Sequence, residues 1–163
     1  MKRILLVMAL VSSMTIANAQ QAKDIAAAKA AVEAAKADAD NAKKATKVAT
    51  WLNLASKYMA AYAAPAGSGW AGATTQELAL IMKNARPVSE ETVVVNGKEM
   101  TKTSYATADY YFADGRLSVI DVTKPIFDNA LALALTAYVK AAEVDTKGSK
   151  TADIKKGIQT IAD

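Results

Sequence analysis

The 163-residue sequence contains no cysteine and no histidine. Without cysteine there are no disulfides, no thiolate metal site and no thiol nucleophile, so the packed interior alone must hold the fold. Without histidine the commonest general base and the commonest nucleophile–base pairs are excluded. Proline is scarce, with three residues, and aromatic side chains make up only 6% of the chain. Neither charge sign dominates: 20 basic against 16 acidic residues leave +4, and Lys2 and Arg3 supply two of those charges. No basic cluster is present to grip a phosphate backbone, which excludes nucleic acid as an expected partner. Beyond the first twenty residues no apolar run approaches the ~20 residues that a membrane span needs.

The opening, MKRILLVMALVSSMTIANAQ, has a basic start, an apolar run from Ile4 to Leu10 that weakens toward Ile16, and small residues in Ala17-Asn18-Ala19. That is the pattern of a secretory signal peptide over residues 1–19, cut before Gln20. The expected localisation is therefore outside the cytoplasm, with no membrane span after cleavage.

Residues 20–65 read as N-terminal helices. Gln21 to Asp38 is rich in Ala, Lys and Glu, the strongest helix formers, with Ile25 and Val32 as its larger apolar residues. Asp38-Ala39-Asp40-Asn41 supplies caps between two helices. Asn41 to Pro65 then places Val48, Trp51, Leu52, Ala55, Tyr58, Met59 and Tyr62 at helical spacing, predicting one helix that buries that stripe.

Residues 66–124 change character. Gly67-Ser68-Gly69 is a break, and Thr74 and Glu77 have capping-box spacing before a short helix expected to reach Asn84 and to bury Leu78, Ile81 and Met82. Pro87 ends it. Period-two alternation follows in two hairpins, one turning at Asn96-Gly97 and one at Asp114-Gly115. They predict a small antiparallel sheet of three or four strands. Tyr105, Tyr110, Tyr111 and Phe112 form an aromatic group that could line a recognition surface, although cross-strand aromatics also stabilise a small sheet by themselves.

Residues 125–163 return to helix. Thr123 and Pro125 mark a start, Phe127, Leu131, Ala134, Leu135, Tyr138, Ala141 and Ala142 share a face, and Gly148 marks the stop. Ile154, Ile158 and Ile161 stripe a last helix whose apolar face has no later sequence to pack against, which leads us to expect a longer array.

Trp51-x2-Leu54-Ala55-x2-Tyr58 and Ala134-x3-Tyr138-x2-Ala141 together resemble helix A and helix B of a tetratricopeptide repeat, W-x2-L-G-x2-Y and A-x3-F-x2-A-x4-P. Ala55 stands where glycine is usual, Tyr138 where phenylalanine is usual, and Thr146 at the proline position. The whole is similar to exported bacterial envelope members of that family with an interrupted first repeat. The resemblance implies a mainly α fold: antiparallel helical hairpins of tetratricopeptide type with a small antiparallel β-hairpin insertion. It also implies a non-catalytic scaffold in the periplasm or cell envelope, binding other envelope proteins or peptides, with Trp51, Leu54, Ala55, Tyr58, Ala134, Tyr138 and Ala141 as its packing residues. An exported α+β module that binds a small ligand or glycan between sheet and helices is the alternative. No cofactor or metal is expected. Asp109, Asp114 and Asp121 read as turn residues, and Gly67-Ser68-Gly69 lacks the lysine of a phosphate loop.

Overall fold

The alanine-rich opening forms helix α1, Lys2–Asp40, in a computed structural model that describes residues 2–82 and 86–162, with side chains of residues 2–20 outside the described set. The residues of the expected signal peptide therefore lie outside the side chains described. Among the described residues no helix is long and apolar enough to cross a membrane. The chain divides into two compact units, one of Met1–Asp24 with Ala64–Pro125 and one of Ile25–Ala63 with Ile126–Asp163.

In the helical unit, α1 buries Val32, Ala35 and Ala39, spaced three and four apart as a helical face requires. Asn41 then caps helix α2, Ala42–Ala45, its side-chain oxygen accepting the N–H groups of Lys43 and Lys44 at 3.1 and 3.2 Å. The single helix predicted from Asn41 to Pro65 is broken at Thr46 and Lys47, and helix α3 runs Val48–Ala63. Two side chains mark the break. The Thr46 hydroxyl donates to the Lys43 carbonyl at 3.0 Å, and the Trp51 indole N–H donates to the Ala45 carbonyl at 2.7 Å. Both satisfy carbonyls that a continuous helix would have paired with its own N–H groups.

Helix α5, Ala130–Val144, starts later than the sequence suggests, with Asn129 rather than Thr123 at its N-cap. The preceding turn sets the Phe127 ring edge-on to Tyr58, with centroids 5.7 Å apart at 78°. Ala130, Ala134, Ala137 and Ala141 form a buried seam along α5. A seam of methyl groups lets α5 lie close to α3, whose buried residues are Leu54, Ala55, Tyr58 and Ala61. Burying side chains the size of Leu54 and Tyr58 contributes about 1.5–3 kcal/mol each. After α5, the Asp145 carboxylate accepts the N–H groups of Ser149 and Lys150 at 2.9 and 2.8 Å and leads into helix α6, Thr151–Ala162. These bonds, the Lys150 one foremost, hold the Asp145 carboxyl below its usual range. Gly157 of α6 lies directly beneath the Tyr138 ring, where a Cβ would overlap the ring atoms.

The other unit carries helix α4, Thr75–Ile81, and four strands, β1 Ser89–Val95, β2 Lys98–Ser104, β3 Ala108–Ala113 and β4 Arg116–Val122. The capping box at α4 is complete: the Thr74 N–H donates to Glu77 Oε2 at 2.7 Å, and the Glu77 N–H donates to Thr74 Oγ1 at 3.2 Å. The end of this helix expected at Asn84 falls outside the described residues.

The strands form one antiparallel meander in the order β1-β2-β3-β4. Asn96 and Gly97, with φ of 51° and 77°, make the first tight turn, and Asp114 and Gly115 repeat the geometry. Such turns match the twist of paired strands and need positive φ at both central positions. The β3–β4 register shifts between Tyr111 and Phe112, so that Tyr111 faces Val119 while Phe112 faces Leu117. The extra residue, Ser118, brings both Leu117 and Ile120 to the core side, which strict alternation would forbid. That core holds Ala73, Leu78, Ala108, Tyr110, Phe112 and Leu117, with Met82, Tyr105 and Ile120 packed against it.

This corrects the expected fold class. The structure is not a mainly α fold of tetratricopeptide-type hairpins with a small β-hairpin insertion, because among the described residues six α-helices stand with a four-stranded sheet that has a buried core of its own. Helices apart from an antiparallel sheet make an α+β class. The physical reason lies at β2 and β3. Thr101 to Ser104 pair with Asp109 to Phe112, joining two local hairpins into one sheet large enough to exclude water from Tyr110.

Candidate functional site

Of the seven motif residues, Leu54, Ala55, Tyr58 and Ala134 meet in the core of the helical unit, and Ala141 is buried on α5. Trp51 and Tyr138 are half-buried at the margin of that core. α3 and α5 thus bring both halves of the motif together although the chain between them is long.

Beside Trp51 the surface dips into an open groove of about 180 Å³. Its floor is Ala39 of α1, Leu54 and Tyr58 of α3, and Leu133 and Ala137 of α5, while Lys36, Asp40 and Thr136 stand at the rim. The origin of the dip is steric. Alanines on α1 and α5 face the larger side chains of α3, and methyl groups do not fill the space that rings and a leucine leave between three helix axes. One wall is fixed by the Trp51 indole, which the bond to the Ala45 carbonyl holds in place. Chemically the groove is an apolar hollow with one cation and one anion at its mouth.

The aromatic group on the sheet is divided by the pleat. Tyr110 and Phe112 are 0% and 3% exposed and lie in the core of the sheet unit. Tyr105 packs edge-on to Tyr110, with centroids 5.4 Å apart, and Tyr111 points to the opposite face of the sheet. The Tyr110 hydroxyl donates to the Ala66 carbonyl at 2.9 Å. Burial, with Tyr105 adding to it, pushes its pKa up to about 12. These four side chains therefore do not make one exposed patch.

On the face that Tyr111 occupies, Lys102 bridges Glu91 at 3.3 Å and Asp109 at 3.0 Å. Burial pushes the Asp109 carboxyl up, but hydrogen bonds from Ser104 and Lys102 outweigh it and hold the group below its usual range. The bonds to Asp109 and then Glu91 raise the Lys102 ammonium. All three are committed to one another.

Among the described residues no three His, Cys, Asp or Glu side chains gather closely enough to hold a metal ion. Sequence reasoning missed Lys36, Asp40, Leu133 and Thr136 at the groove and Gly157 under Tyr138. Only Gly157 left a trace, as a glycine in the middle of a helical stripe. No family model, curated protein or solved structure matches the chain.

Proposed function

We propose that the chain is an exported, non-catalytic interaction protein of a bacterial cell envelope whose helical unit takes an apolar side chain of a protein partner into the groove beside Trp51. The groove carries the reading. It is open, apolar-floored and built on the aromatic residues of α3, the arrangement in which an anchoring side chain is desolvated at a protein interface. Its size weighs against a small-molecule site: about 180 Å³ is well below the roughly 300–1,000 Å³ that ligand pockets occupy. Export rests on the pattern of residues 1–19, and the lack of His and Cys supports a binding role over a hydrolytic one. Kinship of the two motif helices with tetratricopeptide repeats is part of the proposal at the level of sequence.

Thr136 is exposed at the rim, so Thr136→Arg obstructs the groove without entering the core. Crosslinking the full chain to an envelope fraction should give a partner band that Thr136→Arg removes while the melting temperature is kept. Recovery of the same band by the variant would refute the groove as the contact.

A further inference from the structure

The two margins of the sheet differ. The outer side of β4 is occupied where it begins: the Gly72 N–H donates to the Leu117 carbonyl at 2.7 Å and the Leu117 N–H to the Ala73 carbonyl at 2.8 Å, with Thr74 bridged to Arg116. The outer side of β1 has no pairing segment among the described residues. In the two-residue turn at Asn96-Gly97 the flanking Val95 and Lys98 bond each other, and alternation then aims the N–H and C=O of Glu90, Thr92 and Val94 away from β2. Ser89–Val95 contains neither proline nor lysine, and the register irregularity of the sheet lies in β3–β4. Of the devices that blunt an edge strand, β1 carries only charge, in Glu90 and Glu91.

Charge selects the occupant. Glu90, Thr92 and Val94 share the face of Thr103 and Tyr110, and Glu99 sits opposite Val94 on that same face. Glu90 accepts only a long bond from the Thr103 hydroxyl, 3.5 Å, and no cation pairs with Glu90 or Glu99 among the described residues. Glu91, on the other face, already shares Lys102 with Asp109. A second copy of this chain, paired antiparallel about Thr92, would set its Val94 and no cation against Glu90, leaving that carboxylate unpaired. We propose that β1 is a strand-addition site for a cationic extended segment of a partner protein, pairing antiparallel with β1 and placing a Lys or Arg against Glu90. Four positions away on the same face, an apolar residue of that segment covers Val94, which is 71% exposed. Main-chain bonds then supply affinity, and the Glu90 and Val94 positions supply selectivity. The site lies in the sheet unit and stands whether or not the groove in the helical unit binds anything.

The test is fluorescence anisotropy of the full chain with a labelled nonapeptide bearing valine, threonine and lysine at alternate positions and serine between them. Its counterpart carries glutamate in place of the lysine. The lysine peptide should bind at least about ten-fold more tightly than the glutamate peptide, with an affinity that falls as salt is added. Thr92→Pro removes only an outward N–H and should abolish binding; Glu90→Lys leaves the ladder untouched and should reverse the preference between the peptides. Should Thr92→Pro lower the melting temperature, Glu90→Lys decides alone. Equal affinity for both peptides, or a preference unchanged by Glu90→Lys, overturns the proposal. So does a dimer in sedimentation that Thr92→Pro dissociates, since it assigns the edge to a second copy.

Discussion

Replacing Gly157 by alanine sets two well-known effects against each other. Glycine inside a helix is about 0.8–1 kcal/mol worse than alanine, so propensity alone makes Gly157→Ala stabilising. The Tyr138 ring, however, occupies the space a Cβ at Gly157 would take. Forcing an extra methyl group into a packed contact costs about 1–3 kcal/mol. The cheapest relief is for the half-buried Tyr138 to swing outward, which forfeits its contact with α6 instead. Either route leaves Gly157→Ala neutral to about 2 kcal/mol destabilising. In a chain of this length each kcal/mol moves the melting temperature by about 2–4 °C. The assay is a double-mutant cycle with Tyr138→Ala, followed by far-UV circular dichroism during thermal and urea unfolding. With the ring gone, Gly157→Ala should recover the propensity gain of about 1 kcal/mol, and the coupling between the two positions should be about 1–3 kcal/mol. A gain of similar size in both backgrounds, with no coupling, would show that Tyr138 does not sit over Gly157, and the α5–α6 contact described above would be wrong.

In the sheet unit, Tyr110→Phe removes the bond to Ala66 and leaves a partly buried carbonyl short of a donor, at a cost of about 1 kcal/mol by urea unfolding. Because folding raises the Tyr110 pKa from 10.0 to about 12, its stabilising share is complete below pH 10 and is lost as pH rises toward that upper value; the phenylalanine variant should lose less stability over the same window. Asp109 titrates in the opposite sense: its carboxyl is depressed by folding, so its contribution is present above the unfolded value near 3.8 and fades as pH falls through the folded one. Asp109→Asn should flatten the acid limb of a melting-temperature profile, and an unchanged limb would remove the Ser104–Asp109–Lys102 cluster as its cause. In the helical unit, Ala137→Leu enlarges the buried seam beside the groove; we expect a drop of about 1–3 kcal/mol together with lost partner crosslinking, whereas unchanged stability with unchanged crosslinking would mean that the seam does not set the groove.

What the sequence made legible was local. Asn96-Gly97 and Asp114-Gly115 could be read as tight turns because each needs two adjacent residues of positive φ and nothing from the rest of the chain. Thr74 and Glu77 were legible as a capping box for the same reason. The phase of the helices was not. The stripe expected on α3 included Tyr62, which is 51% exposed, and omitted Ala61, which is buried; Leu54, buried too, was named through the repeat motif and not through the stripe. On α5 it included Leu135, 39% exposed, and omitted Ala130 and Ala137. Both helices are apolar on several sides, so periodicity shows that a face is buried without fixing which one. The neighbours fix it, and these neighbours present alanine.

That choice of alanine ties the fold to the site. A hydrophobicity scale ranks Leu135 and Val139 above Ala134 and Ala137, yet the larger pair is exposed and the smaller pair is buried. Selection by size alone would have turned α5 the other way and packed its bulkier residues against Tyr58. The helix instead turns its methyl seam inward, where close approach to α3 gains contact along the whole backbone and the Tyr58–Phe127 pair closes one end. The same smallness leaves Ala39 and Ala137 unable to reach Leu54, so the hollow beside Trp51 follows from how the helices are packed together. A larger residue in the seam would push the helices apart or fill the hollow. The groove and the α3–α5 contact are therefore consequences of one feature, and a substitution that alters the seam should be felt at both.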